Sequence, residues 1–240
     1  MKHALLSLAL SPILVFQGRW VRRHTPLLPE PPGARSGVTG DGPRIRLLVT
    51  GDSAAAGVGA PHQRDGLVGR LVRELAPRNR VHWTLFAATG ATTTTLLRDL
   101  PRLEGRRFDV ILTSLGVNDV TAGRSLSGWR KRQRELRTAL TEAFGTRLLI
   151  VSGLPPVDLF PALPQPLRWY LGRRARQFDE DLRNEVAEEK ETAFLSLRFS
   201  KNPHSMAPDG FHPGPEIYAA WAERAANIIR AAPIGERLGG

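Results

Sequence analysis

Apolar positions along this chain switch between short runs and helical stripes. Ile45, Leu47, Leu48 and Val49 form a β-prone run that stops at Gly51-Asp52-Ser53 and gives way to alanines and glycines. Such a run predicts a parallel strand covered on both faces. Asp65 to Leu75 then places Leu67, Val68, Leu71, Val72 and Leu75 at helical spacing, with Asp65 as the expected N-cap. Val81 to Ala88 predicts a second strand, Ala91 to Leu100 a loop and short helix, and Phe108 to Leu115 a third strand. Leu126 to Phe144 predicts a helix with Trp129, Leu136 and Leu140 on one face, followed by a fourth strand over Arg147 to Val151. A proline-rich loop over Ser152 to Pro166 precedes a long helix from Leu167 to Lys190. A fifth strand over Ala193 to Leu197 and a closing helix from Glu216 to Ala231 complete the pattern. This alternation predicts an α/β fold, with one parallel five-stranded sheet, helices on both faces and right-handed crossovers.

The first residues obey a different rule. Ala4 to Phe16 is an apolar run too short to span a bilayer and interrupted by Pro12. Trp20 with Arg19, Arg22 and Arg23 supplies an aromatic and basic flank, so residues 1–24 predict an interfacial anchor, with peripheral membrane contact through residues 4–23. A signal peptide and a helix packed on the domain are the alternatives. The positive-inside rule would keep the following domain in the cytoplasm. Residues 25–43 are rich in proline and glycine without apolar period and predict a linker; the folded domain is expected over residues 44–232, with a loose tail at 233–240.

Composition narrows the function classes. A chain of 240 residues has room for one domain with a real core. Without cysteine, thiol catalysis and cysteine-based zinc sites are excluded. The net charge of +11 raises nucleic acid or anionic lipid as partners. The densest basic cluster, Arg130-Lys131-Arg132 with Arg134, lies in one helix without interleaved aromatics, which favours a solvated face and no nucleic-acid partner.

Three strand ends carry unusual residues: Gly51-Asp52-Ser53, Ala88-Thr89-Gly90, and Gly116-Val117-Asn118-Asp119. Asp209-Gly210-Phe211-His212 stands just before the closing helix. In an open parallel sheet, strand ends of this kind converge on one ligand site. Ester hydrolysis needs a nucleophile, a base, a group that orients the base, and donors for the oxyanion. Ser53 can attack, His212 can take its proton, and Asp209 can fix the imidazole if a turn at Gly210 folds the carboxylate back. The Ser53 amide, the Gly90 amide and the Asn118 side chain can meet the oxyanion. Taken singly, each has an ordinary structural reading: Ser53 as a helix cap, Gly90 and Asn118-Asp119 as turns, His212 as a surface histidine. His204 is the nearest rival base. No G-x-S-x-G elbow is present, which argues against the α/β-hydrolase fold.

Together these blocks resemble the SGNH (GDSL-like) hydrolase superfamily of esterases and lipases, over Ile45 to Ala231. The resemblance implies a three-layer α/β/α sandwich with a flavodoxin-like sheet. It implies Ser53, Asp209 and His212 as the triad and Ser53, Gly90 and Asn118 as the oxyanion hole. Asp52, Gly116 and Asp119 would then support the site structurally. Ala54 stands where the GDSL name expects leucine, which points toward the SGNH branch.

The expected function is a serine esterase that needs no metal or organic cofactor. Its expected substrates are small-molecule or lipid esters with short-to-medium acyl chains, or lysophospholipid. A carbohydrate O-acetyl esterase or a thioesterase of the same fold is the nearest alternative. A membrane-tethered binding module with an idle triad is the alternative from another class. Leu154, Val157, Leu159, Phe160 and Leu163 in the proline-rich loop are candidates for an apolar acyl rim or for packing over the sheet edge.

Overall fold

The computed structural model describes residues 10–198 and 205–232. Among these residues one sheet of six strands forms: β1 (Ser36–Thr39), β2 (Arg44–Gly51), β3 (Arg80–Ala87), β4 (Val110–Ser114), β5 (Leu148–Ser152) and β6 (Thr192–Leu195). Their spatial order is β1-β3-β2-β4-β5-β6. Strands β2 to β6 are parallel, as their buried apolar runs predict. The sheet is nevertheless mixed. β1 pairs antiparallel with β3 and comes from the segment expected to be a linker, so ordered structure begins well before Arg44.

The helices are α1 (Ser11–His24), α2 (Leu67–Leu75), α3 (Thr93–Asp99), α4 (Val117–Thr121), α5 (Leu126–Phe144), α6 (Leu167–Val186) and α7 (Pro215–Ala231). The pleat of β2 explains why two helical layers are needed. Successive side chains of a strand point to opposite faces. Leu48 enters one core with Leu96, Ile111, Trp129, Leu136 and Phe178. Leu47 and Val49 enter the other with Leu67, Leu71, Trp221 and Ala225. Helices α2 and α7 therefore cover one face, and α1, α3, α5 and α6 the other, giving the three-layer sandwich.

The described part of the N-terminal segment, α1, packs on the body of the protein. Leu14 and Val21 of α1 are buried in the core beside α6. Burying two such side chains favours docking by about 1.5–3 kcal/mol each. Gln17 fastens the contact: its Nε2 donates to the Gln165 carbonyl at 2.7 Å, and its Oε1 accepts from the Leu167 amide at 3.0 Å. Among the described residues no helix is long and apolar enough to cross a membrane.

One local expectation needs correction. Asp65 does not cap α2; it lies in a short 3-10 turn over Gln63–Asp65, and Gly66 takes the cap position. The basic cluster on α5 is solvent-exposed, as expected, and there Arg130 pairs with Asp181 and Arg134 with Glu185 of α6. The expected tail at 233–240 lies outside the described residues.

Candidate active site

The connection from β2 to β3 runs to one side of the sheet and the return to β4 runs to the other. Ligand crevices in open α/β sheets form at such a reversal, beyond the carboxyl ends of the strands. Gly51 ends β2 there with φ 148°, where a side chain would drive into the Ser114 carbonyl. This geometry lets the Asp52 amide donate to that carbonyl at 3.0 Å and aims Ser53 into the crevice. The chain continues in turns, and no helix of the described residues starts at Ser53, so the serine is not a helix cap.

His212 arrives from the loop that precedes α7. Gly210, at φ 63°, turns the chain so that Asp209 Oδ1 accepts the amides of Phe211 and His212, both at 3.0 Å. The second oxygen, Oδ2, accepts from His212 Nδ1 at 2.5 Å. On the far side of the ring, Nε2 lies 2.9 Å from Ser53 Oγ. The Asp209 side chain is wholly buried, while the His212 ring keeps 17 % exposure toward the crevice. Tyr218 of α7 locks this loop to the one after Ser53, donating its hydroxyl proton to the Val58 carbonyl at 2.6 Å.

Asn118 stands in the short helix α4 and faces the same cavity as Ser53. Its Nδ2 donates to the Ala91 carbonyl at 2.9 Å, which ties α4 to the loop that bears Gly90. Gly90 itself is exposed, with open space where a Cβ would stand, and is not part of the cavity wall. Asp119 is buried behind this contact and accepts the Thr93 amide at 3.1 Å and hydroxyl at 2.9 Å. His204, the rival base, lies outside the described residues.

A model of the GDSL-like lipase/acylhydrolase family matches residues 49–220. The chain belongs to this family. Its fold is shared with a G-D-S-L lipolytic protein from Veillonella parvula (16 % identity, covering 78 % of this chain and 98 % of that one, TM-score 0.62). It is also shared with the esterase EstA from Pseudoalteromonas, in a structure inhibited by monoethylphosphonate (21 % identity, 78 % and 97 % covered, TM-score 0.58). A family 3 carbohydrate esterase from Clostridium thermocellum is similar too (17 % identity, 78 % and 98 % covered, TM-score 0.60). No curated protein sequence matches this chain.

In this GDSL-type hydrolase the carboxylates around Ser53 are held in different states. Burial alone would raise Asp209, but the bonds from the His212 ring and from the His212 and Phe211 amides outweigh it and hold the carboxyl below its usual range. Asp52, fully enclosed beneath the serine, is pushed up to about 6 by burial, against the Ala54 and Ala55 amides and the His212 charge. Burial also raises Asp119 despite its bonds from Thr93.

The proline-rich loop divides between the two roles expected of it. Leu154, Val157 and Leu163 are packed into the core. Leu159 and Phe160 line the Ser53 cavity with Phe211, Ile217 and Trp221. Asp179 of α6 holds the start of this loop by accepting the Leu154 amide at 2.9 Å, a contact without local signal in the sequence. Glu30 is a second unforeseen participant, since it binds the loop beside Gly90 from within the supposed linker.

Proposed function

We propose that this hydrolase cleaves carboxylic esters through an acyl-enzyme formed on Ser53. Ser53 Oγ attacks the ester carbonyl carbon while its proton passes to His212 Nε2. The carbonyl oxygen becomes an oxyanion, met by the Ser53 amide and the Asn118 side chain, with the Gly90 amide brought in from outside the cavity wall by a shift of its loop. Collapse breaks the carbon–oxygen bond to the alcohol, and His212 returns its proton to the departing oxygen. Water then attacks the acyl-serine, again giving its proton to His212, and collapse releases the acid and restores the Ser53 hydroxyl. Asp209 holds the imidazole in the tautomer that has Nε2 free, and stabilises the imidazolium that forms.

The observation that carries this reading is the pair of contacts on one ring, 2.9 Å to Ser53 and 2.5 Å to Asp209. A fluorophosphonate probe tests it: wild type should be labelled on Ser53 and Ser53→Ala should remain unlabelled. Label on another residue refutes the assignment.

The apolar wall of the Ser53 cavity supports simple acyl esters, including lysophospholipid, over acetylated sugars, for which a more polar wall would be expected. Hydrolysis of acetylated xylan in preference to nitrophenyl esters would reverse that choice. The outer face of α1 favours lipid substrates met at a surface. Ile13, Phe16 and Trp20 are 43 %, 68 % and 46 % exposed there, beside exposed Arg19 and Arg23. Apolar side chains flanked by arginine suit the boundary of an anionic membrane.

A further inference from the structure

The cavity that touches Ser53 is small, about 90 Å³. A second cavity of about 490 Å³ lies between α1 and the body of the protein. Only the larger falls within the range of roughly 300–1,000 Å³ that small-molecule sites occupy. Its walls are mostly apolar: Leu14 and Val21 from α1, Leu163 from the proline-rich loop, Leu167 and Leu171 from α6. The two cavities share Asn118 and Phe211 as walls. One of these is the proposed oxyanion donor and the other adjoins His212, so these two side chains stand between the reacting centre and the larger cavity. Its roof is fixed, because Leu14 and Val21 are anchored in the core and Gln17 bonds to Gln165 and Leu167.

We propose that this groove under α1 is the binding site for the acyl chain of a long-chain ester. The inference rests on the ester-hydrolase reading above. The carbonyl sits at Ser53, the first carbons fill the small cavity, and the chain passes Asn118 and Phe211 to run beneath α1. The N-terminal helix is then a specificity element lying outside the residues that define the family, 49–220. Each methylene drawn from water into such a groove can raise kcat/KM by about fourfold.

Gly18 offers a direct test. It faces the groove, and a Cβ placed on it would meet nothing within 4 Å, so Gly18→Phe projects a ring into the space without displacing backbone. Val15→Trp obstructs the groove from its exposed lip and serves if the first variant does not fold. Nitrophenyl esters of acids from two to sixteen carbons are compared with acetates of alcohols of the same lengths. In wild type, kcat/KM should rise with acyl length well beyond four carbons. In either variant the ratio of dodecanoate to acetate turnover should fall by about tenfold or more, the loss of two or more buried methylenes. Calorimetry with Ser53→Ala should show dodecanoate binding that Ser53→Ala/Gly18→Phe loses. An unchanged ratio in both variants, or a loss confined to the alcohol series, overturns the acyl assignment. Failure of wild type to hydrolyse any nitrophenyl ester would instead overturn the hydrolase reading, while the dodecanoate measurement would still decide the groove.

Discussion

A single oxygen of Glu30, Oε1, accepts both the Thr89 amide at 2.8 Å and the Thr89 hydroxyl at 3.0 Å. Its other oxygen pairs with Arg35 at 2.7 Å, and Arg35 donates in turn to the Ala87 carbonyl. The chain on either side of Ala88 is thus bound from outside the sheet, next to the Gly90 amide. Burial would raise the Glu30 carboxyl, but the Thr89 and Arg35 bonds hold it below its ordinary value and hence ionised. Glu30→Ala should let this loop drift and lower kcat by up to about 10²-fold with little change in KM. Glu30→Gln, which keeps an acceptor, should recover part of the loss. Steady-state kinetics on an acetate ester decide it, and an unchanged kcat for Glu30→Ala would remove Glu30 from any positioning role.

Asp209→Asn is expected to cost far more. An amide in place of the carboxylate can donate to His212 Nδ1 and so invert the tautomer. Loss of the correct tautomer lowers kcat by about 10⁴-fold in serine hydrolases of this chemistry. Fluorophosphonate labelling of Ser53 should slow in parallel; labelling at the wild-type rate would show that His212 acts without Asp209.

On the proposed mechanism, Asn118→Ala removes an oxyanion donor. A fall in kcat of about 10²–10³-fold is expected, the usual effect of losing one oxyanion donor. The variant also loses the bond to Ala91, so its thermal unfolding should be followed beside the kinetics. A normal kcat would place the oxyanion elsewhere.

Stability should depend on pH through Asp52. With its pKa raised from 3.8 to about 6, the native state holds a proton that the unfolded chain has already released. The stabilisation is therefore complete below about pH 4 and is lost as pH rises through 6. Asp209 acts in the opposite sense: its lowered value stabilises the fold above the ordinary carboxylate range, and that contribution fades as pH falls. Asp52→Asn should remove this residue's share of the decline between pH 4 and 7, about 3 kcal/mol at most in unfolding free energy, and leave the share of buried Asp119. Urea titrations at the two pH values measure it, and a wild-type profile in the variant would contradict the assignment.

Membrane contact has its own signature. Sedimentation with vesicles containing anionic phosphatidylglycerol should carry the protein down, whereas neutral phosphatidylcholine should retain much less. Phe16→Ser/Trp20→Ser should weaken binding while leaving the fold intact, because both side chains are exposed. Equal recovery of wild type and variant with anionic vesicles would exclude this face of α1.

Much of the architecture follows from local chemistry. Strands β2 to β6 and helices α2, α3, α5, α6 and α7 lie close to where the sequence pattern predicts them, because burial on both faces leaves continuous runs and burial on one helical stripe leaves a period. The short helix α4 reads in the sequence only as a strand end. The functional residues stand out for the same reason: Gly51-Asp52-Ser53 and Asn118-Asp119 follow the apolar runs of β2 and β4 with polar or small residues, and Asp209 to His212 stand in the loop just before α7. Their convergence was implicit once the sheet was recognised as parallel, since parallel strands end on one edge.

Only the tertiary structure decided the rest, and the cause is distance. β1 pairs at the sheet edge with little burial of its own, so Val38, 52 % exposed, carries no alternating pattern to mark a strand. Glu30 is surrounded by prolines, and its partner Thr89 lies 59 positions away. The N-terminal segment is apolar on several faces, so its sequence suits a membrane as well as a protein surface. Its place was set by α6, which offers the Leu167 amide to Gln17 from 150 positions further on. What the chain alone determined was the set of elements and the chemistry at their ends. What required the fold was every contact whose two halves carry no mark of each other: the edge strand, the brace behind Gly90, and the groove beneath α1.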